Sequence, residues 1–492
     1  MTVLTIDAGT TGVTALMVGE DGRVLARGYQ EFAQHYPEAG WVEHVPEEIW
    51  QATLAACQSA LDAAGTPPTC VGITNQRETA VLWDRKRGSS PRRAIVWQDR
   101  RTAGICSELR DAGHEDRVTE VTGLRLDPYF TGTKLTWMKR HDQRAWSGVE
   151  RGETAVGTVD SYIIARLTGG ARHVTDASNA SRTLLYDLRR GAWSAEMCEL
   201  FGVPMSALPE VVPSYGTVGE TSPEEFLGLS LPVSGIAGDQ QAAMFGQNCY
   251  HPGSSKCTYG TGSFILVNTG TEAVAPEHGL LSTVLWQHPD GRLEYALEGS
   301  IFVTGAAVQW LRDGLGLIDT APQSEGLAAS VPDSGGVVFV PALTGLGAPD
   351  WDPHARGAIF GITRGTGRAH LARATLDAIA FEVRDVAEAM EQASGTSLPE
   401  LRVDGGASAN DLLCQIQADQ LGVSVARPQV QETTALGAAF LAGLATGVWS
   451  STDELERTWN LDRRFEPGER DDAQYRRWRT AVERSKGWAE LG

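Results

Sequence analysis

Short apolar runs alternate with longer stretches of helical periodicity along this chain, a pattern that predicts an α/β fold. "VLTI", "TALMV" and "RVLARGY" read as three consecutive strands, with Glu20-Asp21-Gly22 as a hairpin turn. "EEIWQATLAACQSALDAAG" predicts a helix closed by Gly65, and "CVGITNQ" a strand running into a polar turn. Further along, "TYGTGSFILVN" sets glycines and threonines at a second hairpin, and "GGVVFVPAL" and "LRVDGGA" read as buried strands. Between these two strands, Leu376, Ile379, Val383, Val386 and Met390 recur at helical spacing in a stretch ending at Gly395. That spacing predicts an amphipathic helix.

No short repeat is visible, but a looser echo is: a strand ending in a Gly/Thr/Ser-rich turn occurs at Asp7, again at Tyr259 and again at Asp404. A chain of 492 residues exceeds what one core usually supports. The expectation is two domains of similar size, residues 1–248 and 249–492, with a ligand cleft between them.

Composition narrows the functional classes. The formal net charge of −20 argues against nucleic acid as a partner, because phosphate backbones are bound by basic patches. No apolar run approaches the roughly 20 residues that span a bilayer, and Met1 leads straight into a strand-like stretch, not a signal peptide. Seven cysteines form no CxxC and the histidines show no ligand spacing, which predicts reduced thiols, no structural metal site and a cytoplasmic location.

Four clusters carry candidate chemistry. In "LTIDAGTTGVTALMV", backbone N–H groups of a Gly-rich turn can cradle phosphate, Thr10 and Thr11 add donors, and Asp7 is placed to hold Mg²⁺ through water. An ordinary hairpin capped by Asx and Thr hydrogen bonds fits the same residues. In "SGIAGDQQAAMFGQ", Asp239 and Gln240 stand at a strand-to-helix junction, with the helix expected over 241–247. Asp239 is there either an N-cap or a general base for a substrate hydroxyl. Arg77-Glu78 reads either as a buried salt bridge or as a grip on vicinal hydroxyls, with Trp97 as core or as an apolar wall. In "VDGGASANDLL", Gly405-Gly406 and Asn410 suit a flat ring or phosphate, or a plain strand–turn–helix joint with the helix starting near Ser408.

Taken with "GWVEHVPEEIW", "GITNQRET", "AIVWQDRRT", "TGLRLDPYFTGTK", "TYGTGSF", "YALEGSIFVTGAAVQWLRD" and "ETTALGAAFLAGLA", these clusters make the chain resemble the FGGY carbohydrate kinase family from end to end. The likeness is to its glycerol-phosphorylating branch. The resemblance implies a two-domain actin/hexokinase/Hsp70-type ATPase fold (ribonuclease H-like) closing on ATP-Mg²⁺ and a small polyol. It implies Asp239 as the base, and Arg77, Glu78, Tyr129, Asp239 and Gln240 on the hydroxyls of glycerol, flanked by Trp97 and Phe264. Thr10, Thr11 and Gly12 would face the γ-phosphate, Thr261 the other phosphates, and Gly305, Gln309, Gly406 and Asn410 the adenosine, with Asp7 and Asp239 near Mg²⁺. A homodimer or homotetramer is implied in the same way.

The chain departs from the family most in the first hairpin. Typical members read Asp-Gln-Gly-Thr-Thr-Ser, then Ser or Thr, then Arg, where this chain has Ala8, Gly12, Val13 and Thr14. The Gly-Gly-x-Arg loop some bacterial relatives use for fructose bisphosphate has no counterpart in "EEFLGLSLPVSG", nor has their phosphorylatable histidine in "PSYGTVGE". The rival readings are a kinase for erythritol, xylulose or dihydroxyacetone, and a nonenzymatic nucleotide binder on the same fold.

Overall fold

The strands predicted in the first half are found in a computed structural model that describes residues 1–490. β1 (Thr2–Ala8), β2 (Gly12–Gly19) and β3 (Val24–Glu31) form an antiparallel meander. β4 (Cys70–Asn75) lies parallel to β1, and β5 (Tyr215–Glu220) and β6 (Pro232–Gly238) complete a sheet of order β5-β6-β4-β1-β2-β3. β4 is buried along its whole length, as a central strand covered on both faces must be. One face packs on α1 (Pro46–Ala64), which ends at Gly65 in the left-handed conformation as expected, and on α2 (Val159–Leu167). The other face meets α3 (Asp239–Gly246).

The second half repeats this plan. β7 (Ser255–Tyr259), β8 (Ser263–Gly270), β9 (Leu281–Gln287) and β10 (Leu293–Ile301) are antiparallel, while β11 (Glu400–Asp404) is parallel to β7 and β12 (Ser424–Pro428) parallel to β11. With β13 (Leu461–Phe465) the order is β9-β10-β8-β7-β11-β12-β13. The echo in the sequence is thus a duplicated topology: a hairpin whose first strand pairs parallel with a later strand, in each sheet. α4 (Arg368–Ser394) buries Leu376, Ile379, Val383, Val386 and Met390 and stops at Gly395, φ 66°. This is the two-domain actin/hexokinase-type arrangement.

Three local expectations change. α3 begins at Asp239, with Gly238 as the N-cap. Residues Gly406–Ala409 form a 3₁₀ turn, and α5 (Asp411–Leu421) starts only after Asn410, whose side chain accepts from the Leu413 N–H. "GGVVFVPAL" yields only Val338–Val340, paired with Ala358–Phe360 outside both main sheets.

The two sheets are joined by α3 and α6 (Thr433–Thr446), whose apolar sides form one cluster with Leu266, Leu285 and Trp286 of the second sheet. α6 is apolar almost all round because it is covered on every side. It lies directly on backbone: a Cβ at Gly437 would stand 1.8 Å from the Ala242 carbonyl oxygen, and one at Gly72 of β4 2.2 Å from that of Ala438. Gly437→Ala is therefore expected to cost about 3 kcal/mol by forcing α3 and α6 apart. A urea midpoint equal to the parent's would contradict this contact.

Candidate functional site

The ends of β1 and β7 bring two Gly/Thr hairpins to the same cleft. At the first, the Gln76 amide donates to the Gly9 carbonyl at 2.9 Å, and the Trp97 indole N–H to Thr10 Oγ1 at 2.9 Å. Because Thr10 Oγ1 accepts from Trp97, its own proton remains a donor, and Thr11 is exposed beside it. Gly12 has a steric cause: a Cβ there would stand 2.8 Å from both Tyr29 Oη and the Gln30 carbonyl oxygen. Asp7, opposite Thr14 in the strand register, is pushed up to about 7 by burial, with the Asp239 charge adding to the effect. Two carboxylates arranged this way suit a hard cation that keeps part of its water and shares phosphate oxygens. Among the described residues no cluster of three or more His, Cys, Asp or Glu could hold a metal.

Behind the hairpins lies a buried charge network. Arg77 follows β4, and Glu78 next to it takes φ +62°, a conformation rare outside glycine. Arg77 donates to Glu298 of β10 through Nη1 at 2.5 Å and Nη2 at 3.1 Å, and its Nε lies 3.2 Å from Asp239 Oδ1. Arg182 donates to Glu78 Oε1 at 2.7 Å and to Glu298 Oε1 at 2.8 Å. Both members of the sequence-predicted Arg77-Glu78 pair are thus buried in salt bridges, within an ion quartet at most 2% exposed. Burial opposes the charge on Glu298, yet Arg182 and Arg77 outweigh it and hold the carboxyl down to about 2. Gly238 leaves room for the Arg77 stem, since a Cβ there would come 2.7 Å from Cδ.

Asp239 differs from that quartet: its side chain keeps 29% of its exposure. It stands in the first turn of α3 and is not the N-cap. Its Oδ1 accepts the Gln240 N–H at 2.7 Å, and among the described residues no protein group is bonded to Oδ2. Burial raises its pKa, against the charges of Arg77 and Lys256. Lys256 of β7, wholly buried, donates to the Gln240 side-chain oxygen and to Thr258 Oγ1 at 2.7 Å. The aromatic side chains converge here too. The Trp97 ring centroid is 5.6 Å from that of Tyr129 and 6.2 Å from that of Phe264, and the Tyr129 hydroxyl accepts from Arg77 Nη2 at 3.3 Å.

Across the second hairpin a cavity of about 340 Å³ brings together Thr261, Gly305, Gln309, Gly406 and Asn410. The Gly305 N–H donates to the Gly260 carbonyl at 3.0 Å, and Gly405, φ 84°, packs against the backbone of Tyr259. Gly406 faces open space. Asn410 Oδ1 accepts the Leu413 N–H of the α5 cap at 2.9 Å, and its NH₂ donates to Ser324 Oγ at 3.4 Å, which leaves one amide N–H for a ligand.

Sequence reasoning missed Glu298, Arg182, Lys256 and Gln76. The first and third carried a signal: each is a charged residue inside a strand otherwise buried, "LEYALEGSI" and "SKCTY".

Removing one member of a buried ion network leaves the others uncompensated. Arg182→Met is therefore expected to lower unfolding stability by about 3–5 kcal/mol, read by denaturant titration. Asp7, with its folded pKa raised from 3.8 to about 7, binds a proton more tightly folded than unfolded, so its stability contribution fades as pH climbs through that window. Asp7→Asn should raise the melting temperature of the ligand-free protein by an increment that grows across that range and levels off above it. An increment independent of pH would contradict the raised pKa of this half-buried carboxyl.

Two family models match: the FGGY family of carbohydrate kinases, N-terminal domain, over residues 2–246, and its C-terminal domain over residues 255–446. The chain is 58% identical to a glycerol kinase of Dechloromonas aromatica, covering 99% of this chain and 98% of that one. It is 51% identical to glycerol kinase 2 of Thermotoga maritima, with 99% of both chains covered. Among solved structures, Plasmodium falciparum glycerol kinase with ADP superposes with a TM-score of 0.91 at 33% identity over 98% of each chain. A xylulose kinase from Rhodospirillum rubrum does so with a TM-score of 0.85 at 26% identity over 98% of this chain and 99% of that one. With both family models matched in order across most of its length, this chain belongs to the FGGY family of carbohydrate kinases.

Proposed function

We propose that this chain transfers the γ-phosphoryl group of ATP to glycerol, giving sn-glycerol 3-phosphate, with Asp239 as general base. The observation that carries the reading is the Asp239 carboxylate. It keeps 29% of its exposure where the ion quartet behind it is buried, held on one oxygen by Arg77 and the Gln240 N–H and free on the other. The glycerol kinase names of its full-length relatives support the same substrate.

In this reading, residues 1–248 hold the polyol and the γ-phosphate, and residues 249–492 hold the rest of the nucleotide. Arg77 and Gln240 donate to substrate oxygens, Glu78 and Asp239 accept, and Trp97 and Phe264 cover the carbon chain. The terminal hydroxyl gives its proton to Asp239 Oδ2 as its oxygen bonds to phosphorus and the bond from phosphorus to the ADP oxygen breaks. The donors at Thr10, Thr11 and Gly12 face the γ-phosphate, and Thr261 faces the phosphates behind it. Gly305, Gln309, Gly406 and Asn410 line the adenosine. Asp7 and Asp239 would hold Mg²⁺, partly through water, which supplies charge neutralisation for the phosphoryl oxygens. Closure around the cleft excludes water, the competing acceptor.

ADP release is the assay, run with glycerol, glyceraldehyde, dihydroxyacetone, erythritol and xylulose. Glycerol is expected to give the highest kcat/KM, and Asp239→Asn to lower kcat by about 10³-fold or more while nucleotide affinity is kept. Preference for another acceptor would overturn the substrate, and full turnover in Asp239→Asn would overturn the base.

A further inference from the structure

Lys256 is an expensive residue to place where it stands. Its side chain is wholly buried, and burial pushes its pKa below the ordinary lysine value. Its ammonium lies at the first turn of α3, where the helix dipole already presents positive charge. Packing alone would be served better by an apolar side chain of similar length.

The contacts indicate what it does. Lys256 lies on β7 of the second sheet, while Gln240 opens a helix that follows β6 of the first. The ammonium has three donors and no acceptor. The atom of Gln240 bonded to it is therefore the amide oxygen, whatever else changes, and the amide NH₂ is turned elsewhere. Thr258, two residues along the same face of β7, accepts a second Lys256 N–H at 2.7 Å and fixes the direction of the side chain. Arg402, opposite Lys256 in the strand register, reaches the same helix at its far end, at the Gln247 carbonyl.

We propose that Lys256 is a positioning residue of the polyol site: from the second domain it locks the Gln240 amide as a donor-only group facing the acceptor substrate. The donor face of Gln240 on the first domain is then set only while the second domain holds this relation to it, so Lys256 couples polyol recognition to the interdomain arrangement, beside the Glu298–Arg77 pair. The inference rests on the reading of the Asp239–Gln240 turn as the acceptor site.

The test is a double-mutant cycle of Lys256→Met and Gln240→Ala in the full chain, with KM for glycerol and for ATP measured separately. Each single variant is expected to raise the glycerol KM about tenfold, with the ATP KM changed less than about twofold. In the Gln240→Ala background Lys256→Met should add less than about a further twofold, because its partner is gone. Additive losses, or equal rises in both KM values, would reduce Lys256 to a structural role and overturn the proposal. If Lys256→Met does not fold, Gln240→Glu decides: its carboxylate pairs with Lys256 and has no N–H to offer, so it should lose as much glycerol affinity as Gln240→Ala. Retained affinity in Gln240→Glu, or in Gln240→Ala, would overturn the proposal, and Asp239→Asn then shows whether the base assignment falls with it.

Discussion

The buried quartet of Arg77, Arg182, Glu78 and Glu298 is the constraint on which the site depends. Four ionised groups removed from water carry a desolvation cost of several kcal/mol each, which only close pairing offsets. The pairing is close because Arg77 bridges an acid of its own domain and an acid of the other, while Arg182 repeats the bridge beside it. Glu298 reaches them from β10, so the cluster closes only when the two sheets stand in the relation seen here. The same bonds leave Asp239 as the acid at the edge, touched by Arg77 on one oxygen and open to the cleft. Arg77-Glu78 is thus a buried salt bridge, and the network fixes the position of the guanidinium beside Asp239.

The helices between the sheets meet the same requirement by other means. α3 and α6 approach so closely that glycines replace side chains at their crossing and under it, at Gly246, Gly437, Gly72 and Gly235. Backbone against backbone leaves no side chains to repack, which suits a joint that must keep the first turn of α3 in register with the second sheet. Asp404 adds a polar lock there, accepting from Thr433 Oγ1 at 2.6 Å and from the Gln247 amide at 2.9 Å.

At the first hairpin the neighbouring strand leaves no space for a side chain at Gly12, where a Cβ would meet Tyr29 and the Gln30 carbonyl oxygen of β3. The side-chain bonds that hold the turn run from Gln76 to Gly9 and from Trp97 to Thr10, and the backbone pairing of Ala8 with Val13 closes it. Val13 is fully buried in the apolar core of the first sheet.

Local physics made much of this protein legible in its sequence. The meander over 2–31, the helix closed by Gly65 and the long helix closed by Gly395 follow from apolar periodicity and left-handed caps, which neighbouring residues decide. The Gly/Thr turns and Arg77, Glu78, Asp239 and Asn410 stood out because their chemistry is unusual after a strand. Arg182, Glu298 and Lys256 did not stand out, since their partners lie more than 100 residues away, or in the case of Lys256 in the other domain. Whether Asp239 caps its helix or faces the cleft, and which atom of Gln240 meets Lys256, were likewise decided only in three dimensions. Periodicity and capping act within a few residues, whereas the pairing of a buried charge is settled by whichever distant group the folded chain sets beside it.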